Sequence, residues 1–560
     1  MKMTTMAGTG GGVSLWLKVD PFYIGALPVP PHPKLSLHYL RKIAVYAKSK
    51  GKAGFPHLSY PVWKHIACNK LNISEELAWM YFEGFDLLCE YPPGDRLKLA
   101  QQVAKCKNKE QEDFLRNQAS VDTLQFLLYL FLQQVYKISL RSSLVIGDEW
   151  PSRSKSPIAS DGRTSGTTGT KNLDENSHMT FFQNNIHDIL SLLIEADSYA
   201  GSASDVLLSV QCVDALGFLL EGSADQLKTF KSLKELAMLQ QVQSKSGYSK
   251  ITLSFSFRSF ETWLRNCLVS NPHGVIACVS AGQRLAWPTS GGDGDGMKRG
   301  KMATNANKAP KSCKFVVLSQ VCKQTLAKTS ATLVDARVKI HRCHHAFIYL
   351  LSPLKYISIE KCRNSTIVVG AVETTVHING CENTRVVAAA RRYSISGSNL
   401  CTLHMLTPTR PLLLGGNDSI TLAPYHTHYP LLNQHMARVG LASHPNIWDQ
   451  PLCIGPDHQV DNPNYQLMTP KDFFTFVIPF DMVGDTKEIP GGLPAMYEKA
   501  LDQREKEIQG WQQTVKEGGL TKAQRKQFQT LVENKFQAWL AESGHKRELD
   551  GLVPPGAPGK

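Results

Sequence analysis

Two different hydrophobic periods divide the chain. Between residues 35 and 137, and again between 181 and 268, apolar residues recur three and four positions apart, which predicts amphipathic helices. The stretch Val121–Lys137 is apolar on nearly every face, which predicts a helix buried on most sides. The segments 151–178 and 289–312 are rich in Ser, Gly, Thr and charge, so we predict that they are linkers.

The centre of the chain repeats two short strands every 17 to 19 residues between about 338 and 422. The first strand recurs as Val338/Ile340, Ile357/Ile359, Val376/Ile378, Tyr393/Ile395 and Leu412/Leu414. The second recurs as Ile348/Leu350, Ile367/Val369, Val386/Ala388, Leu403/Met405 and Ile420/Leu422. A chain with this repeat buries its apolar side chains by winding into a parallel β-helix, in which each coil covers the next. Residues two apart then point the same way, and the residue between them points outward.

Three cysteines, Cys343, Cys362 and Cys381, share one register after the first strand of their coils. A zinc ion needs about four converging ligands, whereas residues on successive coils lie in a row about 4.8 Å apart. The row therefore predicts packing and no metal site. His426 and His428 have no cysteine or carboxylate at ligand spacing, so we predict surface or hydrogen-bonding roles for them.

Composition excludes several classes of protein. The chain has 13 cysteines, an odd number with no C-x-x-C pair, which favours a reducing compartment. No apolar run approaches the about 18 residues of a transmembrane segment. The formal charge of +14 attracts acidic partners in general. No basic helix, zinc-finger spacing or aromatic RNA-binding motif accompanies that charge, so we predict no nucleic-acid binding, and no cofactor is implied.

Two motifs carry a resemblance to a known domain. The segments VVAAARRYSISGS, residues 386–398, and SITLAPYHTHYP, residues 419–430, together with the cysteine row, resemble the tubulin-cofactor-C domain, also called the C-CAP/cofactor C-like domain. The resemblance covers about residues 308–448 and implies a right-handed parallel β-helix.

A wider resemblance extends over nearly the whole chain. It lies in LSLHYLRKI, HIACNKL, SVDTLQFLLYL, EIPGGLPAMYEKAL and LTKAQRKQFQTLVENKF, which are similar to the tubulin-cofactor-C-domain-containing protein 1 family. That family resemblance implies a protein of the cytoplasm and cytoskeleton, found at the centrosome and spindle pole. It also implies a role in centrosome positioning, Golgi organisation and cell shape.

The resemblance also defines a candidate site. In the GTPase-activating relatives, the arginine of a Q-x-R motif acts as an arginine finger. Aligning this sequence with that motif places Arg392 at the glutamine and Ser394 at the arginine. The strand alternation predicts that Ser394 points outward, level with His377 and Lys339. Because a serine hydroxyl lacks the delocalised cation that an arginine finger supplies, we predict no catalytic residue.

Two hypotheses for function follow. The first is a non-enzymatic scaffold or adaptor that binds protein partners at the microtubule-organising centre, with tubulin and a small GTPase as candidates. The alternative is a GTPase-activating protein for tubulin or an Arf-like small GTPase, acting through Arg391 or Arg392. The candidate partner-binding residues are Arg391, Arg392, Ser394, His377, Tyr425, His426 and His428.

The predicted fold class is multidomain, with the β-helix flanked by α-helical N-terminal and C-terminal regions. The predicted divisions are an N-terminal helical domain (13–150), a linker (151–178), a second helical block (179–288), a linker (289–312), the β-helix (308–448), a strand-rich extension (449–490), C-terminal helices (491–545) and a disordered tail (546–560).

Overall fold

The chain folds into two compact units. One comprises residues 1–90 and 106–280, and the other comprises residues 91–105 and 281–560. The computed structural model describes residues 12–27, 32–106, 108–133, 175–194, 206–224, 229–281, 285–286, 301–305, 313–328, 331–455, 458 and 463–543. The predicted tail and most of the first predicted linker lie outside the described residues.

The first unit is mainly helical. Its helices are α1 (Leu37–Ser49), α2 (Tyr60–Lys64), α3 (Glu75–Asp86), α5 (Lys109–Gln118), α6 (Thr123–Phe131), α7 (Glu175–Leu193), α8 (Val210–Leu216), α9 (Leu233–Ala237), α10 (Gln243–Ser246), α11 (Phe257–Cys267) and α12 (Val275–Ala281). Its strands are β1 (Ser14–Leu17), β2 (His57–Ser59), β3 (Ser120–Asp122), β4 (Leu207–Ser209), β5 (Leu220–Ser223), β6 (Phe230–Lys231), β7 (Tyr248–Ser249) and β8 (Ser254–Ser256). Helix α4 (Pro93–Lys105) belongs to the second unit.

Helix α6 is the buried centre of the first unit. It begins where the Asp122 carboxylate accepts a hydrogen bond of 2.8 Å from the Gln125 N–H, a side-chain cap of the helix start. Every residue of α6 except Gln125 is buried, and α6 packs against α1, α7 and α8. Strand β1 pairs antiparallel with β5. The two predicted helical blocks therefore form one unit.

Helix α7 starts inside the first predicted linker. Residues 175–178 are helical, and His178 is buried with its ring stacked on Phe22 at 4.5 Å between centroids. The apolar contacts of these residues outweigh the polar composition of the segment around them.

The second unit contains the predicted β-helix. Its strands are β9 (Leu285–Ala286), β10 (Lys301–Thr304), β11 (Phe315–Ser319), β12 (Thr325–Lys328), β13 (Ala336–His341), β14 (Phe347–Leu350), β15 (Leu354–Glu360), β16 (Thr366–Asn379), β17 (Arg385–Ser396), β18 (Thr402–Leu406), β19 (Leu412–Leu413), β20 (Ile420–Pro424), β21 (Thr427–His428), β22 (Leu452–Cys453), β23 (Tyr465–Leu467) and β24 (Phe476–Val477). Its remaining helices are α13 (Leu432–Arg438), α14 (Ala495–Glu517) and α15 (Lys522–Ser543).

The strands stack in parallel into two faces over about six coils. The first face contains β11, β13, β15, the second halves of β16 and β17, and then β19 and β22. The second contains β12, β14, the first halves of β16 and β17, and then β18, β20 and β23. The fold class predicted from the repeat is confirmed.

Strand β10 lies within the second predicted linker, which corrects that prediction locally. It pairs antiparallel with β11, and its Met302 enters the β-helix core. A β-helix has an open edge at its first coil, and covering that edge removes unpaired backbone groups.

The cysteine row lies inside the β-helix. Cys343, Cys362 and Cys381 are buried among the aliphatic residues of the core. Their thiols hydrogen-bond to backbone carbonyls, for example Cys381 Sγ to Ile359 O at 3.5 Å. Among the described residues, no group of three or more potential ligands converges on a metal position.

The last of the five predicted coils departs from the predicted register. Ile395 is paired with Leu413 rather than Leu414, and Leu403 is paired with Leu422 rather than Ile420. The corner before β19 contains Pro408 and Pro411, which have no N–H to donate to a parallel ladder. Strand β19 is therefore only two residues long.

One corner of each coil turns through two residues with positive φ. The first position holds Gln320, Arg342, Lys361, Gly380, Gly397 and Gly416, and the second holds Lys323, His345, Asn364, Asn383, Leu400 and Ser419. Their backbone N–H groups donate to carbonyls of the next coil, as from Arg342 to Glu360 O at 3.0 Å. This left-handed corner costs about 1–2 kcal/mol at each residue that has a Cβ atom.

A second hydrophobic core lies outside the second face. It contains Tyr349, Val368 and Val387 from the strands, together with Leu432 and Met436 of α13. Residues between 476 and 489 also pack against it. Tyr425, a candidate partner-binding residue, also belongs to this core.

Helix α4 packs against the end of α13. The N–H of Gly440 donates to Ala437 O at 3.1 Å and the N–H of Leu441 donates to Met436 O at 2.9 Å, which ends the helix in a Schellman motif. A Cβ atom on Gly440 would lie 2.9 Å from Pro93 O of α4. The predicted domain bounds place α4 with the N-terminal helices, whereas the structure groups it with the β-helix.

The two C-terminal helices differ in burial along their length. Tyr497 near the start of α14 is 2% exposed and packs between Trp448 and Phe473. Beyond it, α14 and α15 are largely exposed, including Trp511 and Trp539. No helix in the described part of the chain is long and apolar enough to span a bilayer.

Candidate functional site

Residue 394 lies in a row of side chains on the outer side of the first face. Parallel pairing aligns Lys339 with Ser358, Ser358 with His377, and His377 with Ser394. The flanking residues Tyr393 and Ile395 point into the core. The row therefore faces away from the core, as strand alternation predicts.

This row is nevertheless buried. Ser394 is 1% exposed, and Ser358 and Lys339 are buried as well, while His377 is half-buried. Alternation in the sequence distinguishes the inner from the outer side of a strand, but it does not reveal whether other parts of the chain cover the outer side. A ligand approaching from solvent cannot reach the Ser394 hydroxyl in this conformation.

An ion pair occupies the start of the row. Lys339 Nζ lies 2.9 Å from Glu360 Oε1, and Ser358 Oγ donates to the same oxygen at 2.6 Å. Burial acts to raise the pKa of Glu360, but the ammonium of Lys339 and the Ser358 hydrogen bond outweigh it and hold the pKa below its usual value. The lysine charge is therefore neutralised within the protein. The sequence repeat indicates this pair. Lys339 and Ser358 share one register on neighbouring coils, and Glu360 lies two positions after Ser358 on the same side of its strand.

His377 connects this pair to Ser394. Its Nδ1 lies 3.4 Å from Ser394 Oγ. Burial lowers the pKa of His377, although the nearby Glu360 carboxylate opposes the shift, so the imidazole is neutral at pH 7. A serine beside a histidine and a carboxylate resembles a nucleophile with its base. The burial of Ser394 excludes a substrate from that hydroxyl.

The two arginines have different environments. Arg392 shares the facing of Ser394, pairs with Thr375 and is 1% exposed. Arg391 is half-buried, and its guanidinium donates to Glu373 O at 3.2 Å and to Gly440 O at 3.2 Å. Since Gly440 ends α13, this positive charge lies at the negative end of a helix and satisfies its carbonyls. Arg391 thus holds α13 to the β-helix.

The remaining candidates lie outside the second face. Tyr425 belongs to the second core, where burial raises the pKa of its phenol. His426 stacks on His404 with 3.5 Å between ring centroids, and burial lowers the pKa of both. His428 is half-buried in β21, beside β24. The structure therefore does not gather the seven candidates into one site: Arg392, Ser394 and His377 form one group, and the others lie apart.

Comparison with known proteins agrees with this architecture. The sequence profile of the family described as "Tubulin binding cofactor C" matches residues 335–452, which cover most of the coils. The fold and the row around Ser394 thus belong to a β-helix domain of the tubulin binding cofactor C class.

Similarity to individual proteins extends over the full chain. The "TBCC domain-containing protein 1" of Rattus norvegicus is 50% identical over 550 residues, covering 98% of this chain and 96% of the rat protein. The Homo sapiens protein of that name is 50% identical over 552 residues, covering 98% of both chains. The Danio rerio protein is 47% identical over 548 residues, covering 97% of this chain and 94% of the fish protein. The chain therefore belongs to the TBCC domain-containing protein 1 family, which confirms the family resemblance seen in its motifs.

Proposed function

We propose that this protein is a non-enzymatic scaffold of the cytoplasmic cytoskeleton that acts at the centrosome and spindle pole. In this role it binds protein partners, with tubulin and a small GTPase as candidates, and it regulates centrosome positioning, Golgi organisation and cell shape. The observation that carries the proposal is Ser394, a neutral, buried side chain at the finger position. Membership of a tubulin-cofactor-C-like family supports a tubulin-related partner.

A single-turnover assay distinguishes the proposed scaffold from a GTPase-activating protein. Hydrolysis of GTP by tubulin and by an Arf-like GTPase is measured with and without the full-length protein. We expect no acceleration, because Arg391 is bonded to backbone carbonyls and Arg392 is buried. An arginine finger accelerates hydrolysis by about 10³–10⁵-fold, so the assay discriminates clearly. An acceleration that disappears in Arg392→Ala but persists in Ser394→Ala would replace the scaffold with the GTPase-activating alternative.

The cellular part of the proposal has its own test. Ser394→Ala in the full-length protein should still be recruited to the centrosome, since a scaffold needs no chemistry from that hydroxyl. The melting curve of the variant shows whether its fold is retained. Recruitment that is lost in a folded Ser394→Ala protein would contradict the proposal.

A further inference from the structure

The left-handed corner of the β-helix presents exposed cations on its first coils. Lys323, Arg342 and Lys361 occupy left-handed positions there, and all three are exposed. Arg363, which lies between the two left-handed positions of its coil, is exposed as well. Where the structure describes the later coils, their left-handed positions hold uncharged residues. The cations are thus confined to about two inter-coil steps, roughly 10 Å.

Arg342 and Lys361 lie where a side chain strains the backbone. Both have a φ of 54°, a conformation in which Cβ crowds the carbonyl oxygen. The equivalent positions of the next three coils hold Gly380, Gly397 and Gly416, which avoid this strain. Strain that persists although glycine fits the same turn points to a function of the side chain.

Neither side chain contributes to holding the corner together. The backbone N–H of Lys361 donates to Asn379 O at 2.9 Å, a bond that glycine at this position can also make. Within the described part of the chain, the side chains of Arg342 and Lys361 form no hydrogen bond or ion pair. Their field is felt locally: burial is the main cause that lowers the pKa of His341, and the charges of Arg342 and Lys361 lower it further while the Glu360 carboxylate opposes the shift.

We propose that Lys323, Arg342 and Lys361 form a docking site for an acidic peptide, a short segment rich in Glu and Asp on another protein. Arginine pairs with carboxylates through two parallel hydrogen bonds, and lysine adds a point charge. Backbone hydrogen bonds between coils fix the main chain of the three residues, and their exposed side chains extend from this corner. This docking site is a more specific form of the scaffold function, and its role in the cell rests on that proposed function. The binding itself is measured in vitro.

Carboxylates on the same corner favour a short peptide over a long polyanion. Glu382 Oε2 lies 3.1 Å from Arg363 Nε. Asp418 occupies the position equivalent to Glu382 two coils further on. A membrane surface or a nucleic-acid strand lying along the corner would meet these negative charges. The named left-handed positions include no Phe, Tyr or Trp on which a base could stack.

The test uses the full-length protein and a fluorescein-labelled polyglutamate peptide of about ten residues. Anisotropy should show binding at about 50 mM salt that weakens at about 300 mM, because exposed charges are screened. The double variant Arg342→Gly/Lys361→Gly should bind at least about tenfold more weakly. Its thermal unfolding midpoint should be equal to or above that of the wild type, since the left-handed strain is removed. A loss of binding without a loss of stability excludes misfolding as its cause.

Leu400→Gly is the matched control. It makes the same backbone change in a later coil and removes no charge, so its affinity should equal that of the wild type. Three results would overturn the proposal: equal affinity of the double variant and the wild type, equal affinity for polyglutamine, or binding to phosphatidylserine vesicles or an oligonucleotide without binding to polyglutamate. Failure of centrosomal recruitment would instead contradict the scaffold function and leave this measurement unaffected.

Discussion

Leu400 shows how the repeat constrains single residues. It has a φ of 53° at the second left-handed position of its coil, and its side chain is 57% exposed. Asparagine occupies the same position in two earlier coils, Asn364 and Asn383, and tolerates this conformation better than leucine. The exposed leucine therefore adds strain and little burial.

Leu400→Gly should stabilise the β-helix. Relief of about 1–2 kcal/mol of left-handed strain is partly offset by about 0.4–1 kcal/mol from the greater freedom of the unfolded chain. We expect a net gain of roughly 0.5–1 kcal/mol in the free energy of unfolding, measured by denaturant titration. A loss of stability would show that the leucine side chain makes a contact that outweighs its strain.

The stacked pair His404 and His426 should make stability depend on pH. Burial lowers the pKa of His404 from its ordinary 6.5 to about 3. Between these values the unfolded chain binds more protons than the folded chain, so the free energy of unfolding decreases as pH falls. The full contribution is present above pH 6.5, and each buried histidine adds a slope of up to about 1.4 kcal/mol per pH unit below it.

This slope is measured by denaturant titration between about pH 7 and pH 5. His426→Phe keeps an aromatic ring next to His404 and Phe476 while removing one titrating group. The variant should therefore show a shallower decline in stability. An identical slope in both proteins would show that His426 is not kept neutral by the fold.

At the scale of elements, a few contacts anchor the C-terminal arm. The Tyr497 hydroxyl donates to Met468 O at 2.6 Å, and the Arg504 guanidinium donates to Phe473 O at 2.9 Å. Helix α14 therefore starts on the β-helix core and continues as an exposed helix.

Tyr497→Ala should release α14 from the β-helix. The expected loss is roughly 3–5 kcal/mol in the free energy of unfolding, the range for buried aromatic residues changed to alanine. Ile508→Ala is the control on the same helix, because Ile508 is 50% exposed, and its effect should stay within about 0.5 kcal/mol. Equal effects of the two changes would contradict the anchoring role of Tyr497.

At the scale of the whole molecule, the chain crosses between units twice around α4. The segment 91–105 leaves the first unit, packs with the β-helix, and the chain then returns to the first unit at residue 106. Gly440 sits at this contact with a φ of 68°. The β-helix unit is thus assembled from two separate parts of the chain.

Gly440→Ala should weaken the docking of α4. The change adds left-handed strain and a Cβ atom 2.9 Å from Pro93 O and 3.1 Å from Arg96 Cβ. Hydrogen exchange across 93–105 should become faster than in the wild type. Gly94→Ala is the matched control on α4, because its Cβ meets nothing within 4 Å, and it should leave exchange unchanged or slower. Unchanged exchange in Gly440→Ala would show that α4 docks without this close contact.

The sequence by itself determined the β-helix, its inward and outward residues through Ile395, and the neutral side chain at position 394. These features follow from a local repeat, in which each coil is specified by its own residues and its immediate neighbour. The register of the last predicted coil did not follow from the repeat, because the prolines before β19 shortened its strand and shifted its register.

Only the tertiary structure decided which outward residues are accessible. The strand period indicates that Ser394 and Arg392 point away from the core, but it does not indicate that the folded chain buries both side chains. The binding of Arg391 to the end of α13, the membership of α4 in the β-helix unit and the left-handed backbone of Arg342 and Lys361 arise in the same way. Each depends on contacts between segments or coils that are apart in the sequence, and a local hydrophobic pattern does not encode those contacts.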